Sequence, residues 1–346
     1  MNKGEILHLF NWDRKFFPPF RKLIHDHFPG GRHRFVVYGD VDSATFAATD
    51  DTIVYPTLLR NAIPLSKAMR RADKIILHGL FNNHLLYILA LQPWVLEKSC
   101  WVLWGGDLYI HEPERSGWRF HKDEWFRRFV IRRIDRIATY VKGDYDLAKK
   151  WYGAEGWYCE CILYPSNVYR RSHTEVQQSS FLSIQIGNSA DPGNCHFEIF
   201  ERLDQHQHAD FKLYVPLSYG DQRYAAEVIS VGTRIFGDRF IPMTGFMSYD
   251  LYRDFWGKMD IAIFAHKRQQ GMGNMISLLG LGKKVYMRSD VTSWQFFKHL
   301  GVAVFDIDQI ELTRLDEHTR RVNEVNIAAY FSESKLIKQW AEIFAS

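Results

Sequence analysis

No apolar run in this chain reaches 18 residues, so no stretch reads as a membrane-spanning helix. The opening MNKGEILHLFNWDRKFF has too short an apolar stretch for a secretory leader. Cysteine is scarce. Cys100, Cys159, Cys161 and Cys195 are the only four, and the single C-x-C has no second pair at zinc spacing. That usage excludes a disulfide scaffold and fits free thiols in a reducing compartment. There is no internal repeat, no low-complexity tract and no Walker G-x-x-x-x-G-K-[ST] loop. The D-x-D spelling Asp40-Val41-Asp42 reads as a turn rather than a metal site. No nucleic-acid-binding module is visible, and the net charge of +4 is mild. These absences fit a soluble cytoplasmic protein that touches a membrane surface.

What is present is a chain of 346 residues, 46% hydrophobic and 15% aromatic, long enough for two globular domains. Short apolar runs alternate with longer helical stretches. In the first half, strands are expected at 6–10, 34–38, 74–77, 100–104, 137–141 and 160–163. In the second half they are expected at 181–186, 211–216, 240–241, 261–264, 284–287 and 303–305. Helices are expected between them, for example at 82–91, 125–134 and 196–205. Such alternation predicts an α/β protein with two doubly wound, Rossmann-like domains and parallel sheets. The polar stretch from Tyr164 to Ser180 marks the boundary. The expected division is 1–165, 166–332, and a last helix at 333–346 that crosses back to the first domain. Ligands of such folds lie at the carboxyl ends of strands, so the loops just after strands carry the chemistry.

Two of those loops suit a phosphate. After the strand at 181–186 comes Gly187-Asn188-Ser189-Ala190-Asp191, small and polar ahead of a helix. It is equally an ordinary strand-to-helix turn. After 261–264 comes HKRQQGMGN, His266 to Asn274. Gly271 and Gly273 frame Met272 at a helix start whose amides, with Asn274, suit a diphosphate. Lys267 and Arg268 neutralise charge, and Gln269 and Gln270 suit sugar hydroxyls. A solvated turn is the plainer alternative. Ser218 and Tyr219, after 211–216, either meet a nucleotide or form a polar turn.

In the first half, Trp104, Gly105, Gly106, Asp107 and Tyr109 follow a buried strand, and the glycines could aim Asp107 outward as a general base. A helix cap or Asx turn explains it as well. His78, in His78-Gly79-Leu80-Phe81-Asn82, is a second candidate base, or else a satisfied core histidine. Arg115 to Arg136 holds eight Lys/Arg against three acids, with Trp118, Trp125 and three phenylalanines interleaved. Two readings stand. Arg119, Trp125, Arg127 and Arg128 meet an anionic membrane, or the helix packs on its own domain and its charges face water.

Asp238 to Val285 resembles the donor half of GT-B glycosyltransferases, with a turn at Gly245-Phe246 and Gln270-Gly271-Met272-Gly273 in place of an E-G-F-G loop. That fold sets two domains facing each other across a cleft. The usual glutamate pair is Gln270 and Leu278 here. HGLFN, WVLWGGDLY, IGNSADPGN, VPLSYG and RQQGMGN, in this order and spacing, resemble the TDP-N-acetylfucosamine:lipid II N-acetylfucosaminyltransferases, glycosyltransferase family 56. The resemblance implies a transferase with a TDP-amino-deoxy-sugar donor and a polyprenyl-diphosphate-linked acceptor, acting in enterobacterial common antigen or O-antigen assembly. It implies a peripheral site on the inner face of the inner membrane, with no cofactor and no divalent metal. Donor contacts would come from Gly187, Asn188, Ser189, Asp191, Ser218, Tyr219, Gly245, Phe246 and the 267–274 loop. Acceptor contacts would come from Asn82, Trp104, Gly105, Gly106 and Tyr109, with Asp107 or His78 catalytic. An apolar Leu278 suits a deoxyribose, which lacks the 2′-hydroxyl. A transferase of another nucleotide sugar and a non-catalytic nucleotide-sugar-binding scaffold are the alternatives.

Overall fold

A computed structural model describes residues 4–41, 49–111, 117–171, 179–206 and 208–346. The chain forms two compact units, residues 1–166 with 333–346, and residues 167–332. Arg115, Asp42 and 172–178 of the boundary stretch lie outside the described residues.

Unit 1 is built on strands β1 (Glu5–Asn11), β2 (Arg32–Tyr38), β3 (Thr52–Tyr55), β4 (Lys74–His78), β5 (Ser99–Val102), β6 (Arg136–Ala138) and β7 (Trp157–Cys159). They are all parallel, in the order β3-β2-β1-β4-β5-β6-β7. Helices α1 (Phe17–His27), α2 (Ala62–Arg71), α3 (Asn83–Ala90), α4 (Trp118–Arg133) and α5 (Lys142–Tyr152) connect them. β4 and β5 carry only buried side chains after Lys74, as a strand covered by helices on both faces requires.

Unit 2 has β8 (Leu182–Ile186), β9 (Phe211–Pro216), β10 (Phe240–Met243), β11 (Ile261–Phe264), β12 (Lys284–Met287) and β13 (Phe305–Asp306), parallel in the order β10-β9-β8-β11-β12-β13. Its helices are α6 (His196–Asp204), α7 (Gln222–Phe236), α8 (Tyr249–Gly257), α9 (Met272–Gly280), α10 (Thr292–His299) and α11 (Glu317–Tyr330). Asp221, Ser248 and Asp316 cap α7, α8 and α11 by accepting first-turn amides, which fixes where the chain leaves each loop. The last helix, α12 (Glu333–Ala345), belongs to unit 1 and buries Leu336, Gln339, Trp340 and Ile343 there.

Two strand positions differ from expectation. The last strand of unit 1 is β7, whereas Ile162 and Leu163 leave the sheet. β3 was not expected at all. Its four residues TIVY pair with β2, and Thr52 adds one antiparallel bridge to Thr49.

Candidate active site

Strand order in each sheet reverses once, and ligands of such folds bind outside the carboxyl ends at that point. In unit 2 the reversal lies between β8 and β11, whose loops are 187–191 and 265–271. Gly187 N donates to Ile263 O at 2.9 Å. Gly187 has φ +63, and a Cβ there would lie 2.6 Å from Asn194 Oδ1. Asn194 is wholly buried and joins the two loops. Its Oδ1 accepts from Asn188 N at 2.9 Å and meets His266 Nε2 at 2.9 Å. Its Nδ2 donates to Ser189 Oγ at 3.2 Å and to Asp191 O at 3.0 Å. An amide oxygen only accepts, so His266 Nε2 carries the proton. Burial first, then the charges of Arg268 and His196, depress the His266 pKa to about 3, and the imidazole stays neutral.

Gly271 is the N-cap of α9, left-handed at φ +68, and no side chain caps that helix. The amides of Met272 and Gly273 therefore remain available as donors, while Asn274 N donates to Gly271 O at 3.0 Å. Asn188 Oδ1, Gln269 Oε1 and Gln270 Oε1 are buried and have no hydrogen-bond partner among the described residues. A buried polar atom left this way costs about 1–3 kcal/mol, and three clustered at one crevice mark a place that a ligand or water completes. Lys267 is exposed and Arg268 half-buried, and neither pairs with a carboxylate among the described residues.

The other donor candidates lie at the same edge. Ala190 N donates to Tyr219 O at 2.8 Å, and Asn188 Nδ2 to Tyr219 OH at 3.1 Å. Ser218 is half-buried beside it. Asp191 Oδ1 accepts from Gly193 N at 2.7 Å and so caps the turn that carries Asn194. Tyr252 OH donates to Asn274 Oδ1 at 3.0 Å, and Gly273 and Met272 open α9. Gly245 and Phe246 follow β10, the outermost strand, and both are exposed. Leu278 is wholly buried and packs in the core. Asn194 and His266 lie inside the expected stretches, but neither had an expected role of its own. The signals for them were a buried-strand end at His266 and an asparagine opening a helix.

In unit 1 the equivalent reversal lies between β1 and β4. Asp107 is wholly buried. Its Oδ2 accepts from Trp101 Nε1 at 2.7 Å and Leu80 N at 2.9 Å, and its Oδ1 from Trp104 N at 3.0 Å. The carboxylate therefore pins the loops after β4 and β5 together and presents no free surface to an acceptor hydroxyl. Burial raises its pKa, against those three donors and Arg127. His78 is also wholly buried, stacked on Phe10 at 4.2 Å between ring centroids, and burial lowers its pKa. Neither group has the access that a base requires. Asn82 caps α3, its Oδ1 accepting from His84 N and Leu85 N. Tyr109 OH donates to Asp144 Oδ1 at 3.2 Å and packs on Trp151. Gly105 is left-handed at φ +86, and Trp104 and Gly106 are half-exposed.

Of the four residues expected to face a membrane, Arg127 does not. It is buried, its Nη1 donating to Leu80 O at 2.7 Å, because it lies on the same inward face of α4 as Val130 and Ile131. Arg119, Arg128 and Trp125 are exposed, as is Trp118. No helix among the described residues is long and apolar enough to cross a membrane, and no group of three His, Cys, Asp or Glu among them is placed to hold a metal ion.

Residues 16–346 match the family of 4-alpha-L-fucosyltransferase, glycosyl transferase group 56. Solved structures are similar over the whole chain at low identity. A glycosyltransferase from Rickettsia africae matches at TM-score 0.63 and 11% identity, covering 99% of this chain and 98% of that one. Anabaena HepE in complex with UDP-glucose matches at TM-score 0.66 and 12% identity, covering 99% and 98%. WaaG, a glycosyltransferase involved in lipopolysaccharide biosynthesis, matches at TM-score 0.55 and 13% identity, covering 98% and 94%. The two parallel α/β units are those of the GT-B fold.

Proposed function

The chain belongs to the 4-alpha-L-fucosyltransferase family, glycosyl transferase group 56, and from that premise we propose that it moves a 4-acetamido-4,6-dideoxygalactose-type sugar. The donor is a TDP-sugar and the acceptor a polyprenyl-diphosphate-linked saccharide of surface polysaccharide assembly, at the inner face of the inner membrane. The observation that carries this reading is the crevice between the β8 and β11 loops. There, two cations without carboxylate partners, an uncapped helix start and three unpartnered buried acceptors converge. Nucleotide transferases of this fold need a preorganised charge sink for the leaving diphosphate. Arg268 and the amides of Gly271, Met272 and Gly273 supply it, with Gly187, Asn188 and Ser189 closing the pocket. Neutral His266 and buried Asn194 hold the two loops in register. The carboxamides of Gln269 and Gln270 meet sugar or deoxyribose groups. The reaction requires no divalent metal, because this cationic, amide-rich pocket takes the developing charge.

Calorimetry with TDP, UDP, GDP and ADP tests the reading. Selective TDP binding that is lost in Arg268→Ala supports it. Selective UDP or GDP binding keeps the transferase and overturns the donor. Binding to none of the four, with acceptor present, overturns the site.

A further inference from the structure

We infer that Tyr164 is a positioning residue for Trp104, and that Trp104 is the platform on which a sugar ring of the acceptor stacks. This rests on the transferase reading above and concerns unit 1 alone.

The observations begin at Leu163. It is one of two non-glycine residues with positive φ among the described residues, at +76. A branched side chain adopts that conformation only where its surroundings enforce it. Here α12 enforces it. Gln339 Oε1 accepts from Ile162 N at 2.9 Å, and Trp340 Nε1 donates to Leu163 O at 2.9 Å. The strained turn delivers Tyr164 into the interior, where its hydroxyl lies 2.8 Å from Trp104 Nε1 and 2.8 Å from His78 Nδ1.

The proton positions follow. An indole nitrogen only donates, so Tyr164 O accepts from Trp104. The hydroxyl proton has no acceptor other than His78 Nδ1 among the described residues. His78 then donates from Nε2 to His8 Nδ1 at 3.1 Å, and His8 from Nε2 to His33 Nδ1 at 3.0 Å. Burial keeps His78 and His8 neutral and Tyr164 protonated, in agreement with that one-way chain. Its near end is the half-exposed indole of Trp104. That ring packs against Phe16 at 4.4 Å and edge-on to the exposed Phe81 at 5.8 Å. A half-exposed aromatic surface locked in orientation, just past the carboxyl end of β5, suits the C–H face of a pyranose.

The test uses the full-length protein with its tryptophan side chains labelled with ¹⁵N, the Trp104 indole resonance being assigned from Trp104→Phe. The acceptor saccharide on its prenyl diphosphate is titrated in, and acceptor KM is measured alongside TDP affinity. Wild type should show the Trp104 resonance moving with acceptor. Tyr164→Phe should shift that resonance in the free protein and raise acceptor KM tenfold or more, with TDP affinity within twofold. Trp104→Phe should raise acceptor KM as much, which keeps the test standing if Tyr164→Phe does not fold. An acceptor KM within twofold in either variant overturns the inference, as does a parallel loss of TDP binding. Acceptor binding at Trp104 without any sugar transfer would instead overturn the transferase reading and leave this one standing.

Discussion

Replacing Asn194 with alanine removes a side chain that joins the 187–191 and 265–271 loops. The Asn188 amide and the His266 Nε2–H lose their shared acceptor in a wholly buried place. Each stranded donor costs about 1–3 kcal/mol, so the variant should lose about 2–6 kcal/mol. For a unit of this size, 1 kcal/mol corresponds to about 2–4 °C in melting temperature, which predicts a drop of roughly 4–24 °C. Asn194→Asp separates stability from binding. A carboxylate still accepts from both donors, but its second oxygen faces the Asp191 carbonyl and sets a negative charge beside the proposed diphosphate pocket. It should recover only part of the melting temperature and almost none of the TDP affinity. Differential scanning calorimetry and titration with TDP read both quantities. An alanine variant that melts within 1 °C of wild type, or an aspartate variant that binds TDP normally, would refute this account of the crevice.

Asp107→Asn should lose stability and not a limb of the pH–rate profile. One of three buried donors then faces an NH₂ group, at a cost of about 1–3 kcal/mol. A hundredfold loss of turnover at unchanged stability would restore Asp107 as the base. Burial is the leading cause that holds His266 at about 3 and His196 at about 4, both below the ordinary 6.5. The unfolded chain therefore binds more protons between those values. Stability should be full above about pH 6.5 and fall as pH drops toward 3, by up to ~1.4 kcal/mol per pH unit for each group. Urea melts at pH 7, 6 and 5 measure this, and a flat profile would contradict it. Vesicles with anionic lipid should sediment the protein, less so after Trp118→Ala with Trp125→Ala. Equal sedimentation would remove α4 as a membrane face.

Most of the strands were legible because buried parallel strands read as apolar runs bounded by glycine or polar loops. β8 and β11 are such runs. β3 and β7 were not, since outermost strands of three or four residues carry half-exposed side chains and little period. The loops at the crevice were legible from glycine and cation spacing. Asn194 was not, because its role comes from reaching His266, 72 residues away in sequence. Arg127 shows the same limit from the other side. Among eight cations in one segment, only the packing of α4 selects which one turns inward to Leu80 and Asp107.

Because α12 completes unit 1, the half of the molecule that is translated first cannot close first. Residues 1–166 must wait for 333–346 to emerge, about 10–40 s at ordinary ribosomal rates of ~5–20 residues per second. Residues 167–332 are continuous and reach their native contacts in the meantime. During that interval the pocket that will receive Trp340, around Phe20 and His78, stays uncovered. The first domain is thus the later of the two to complete its core, even though it is the first out of the tunnel.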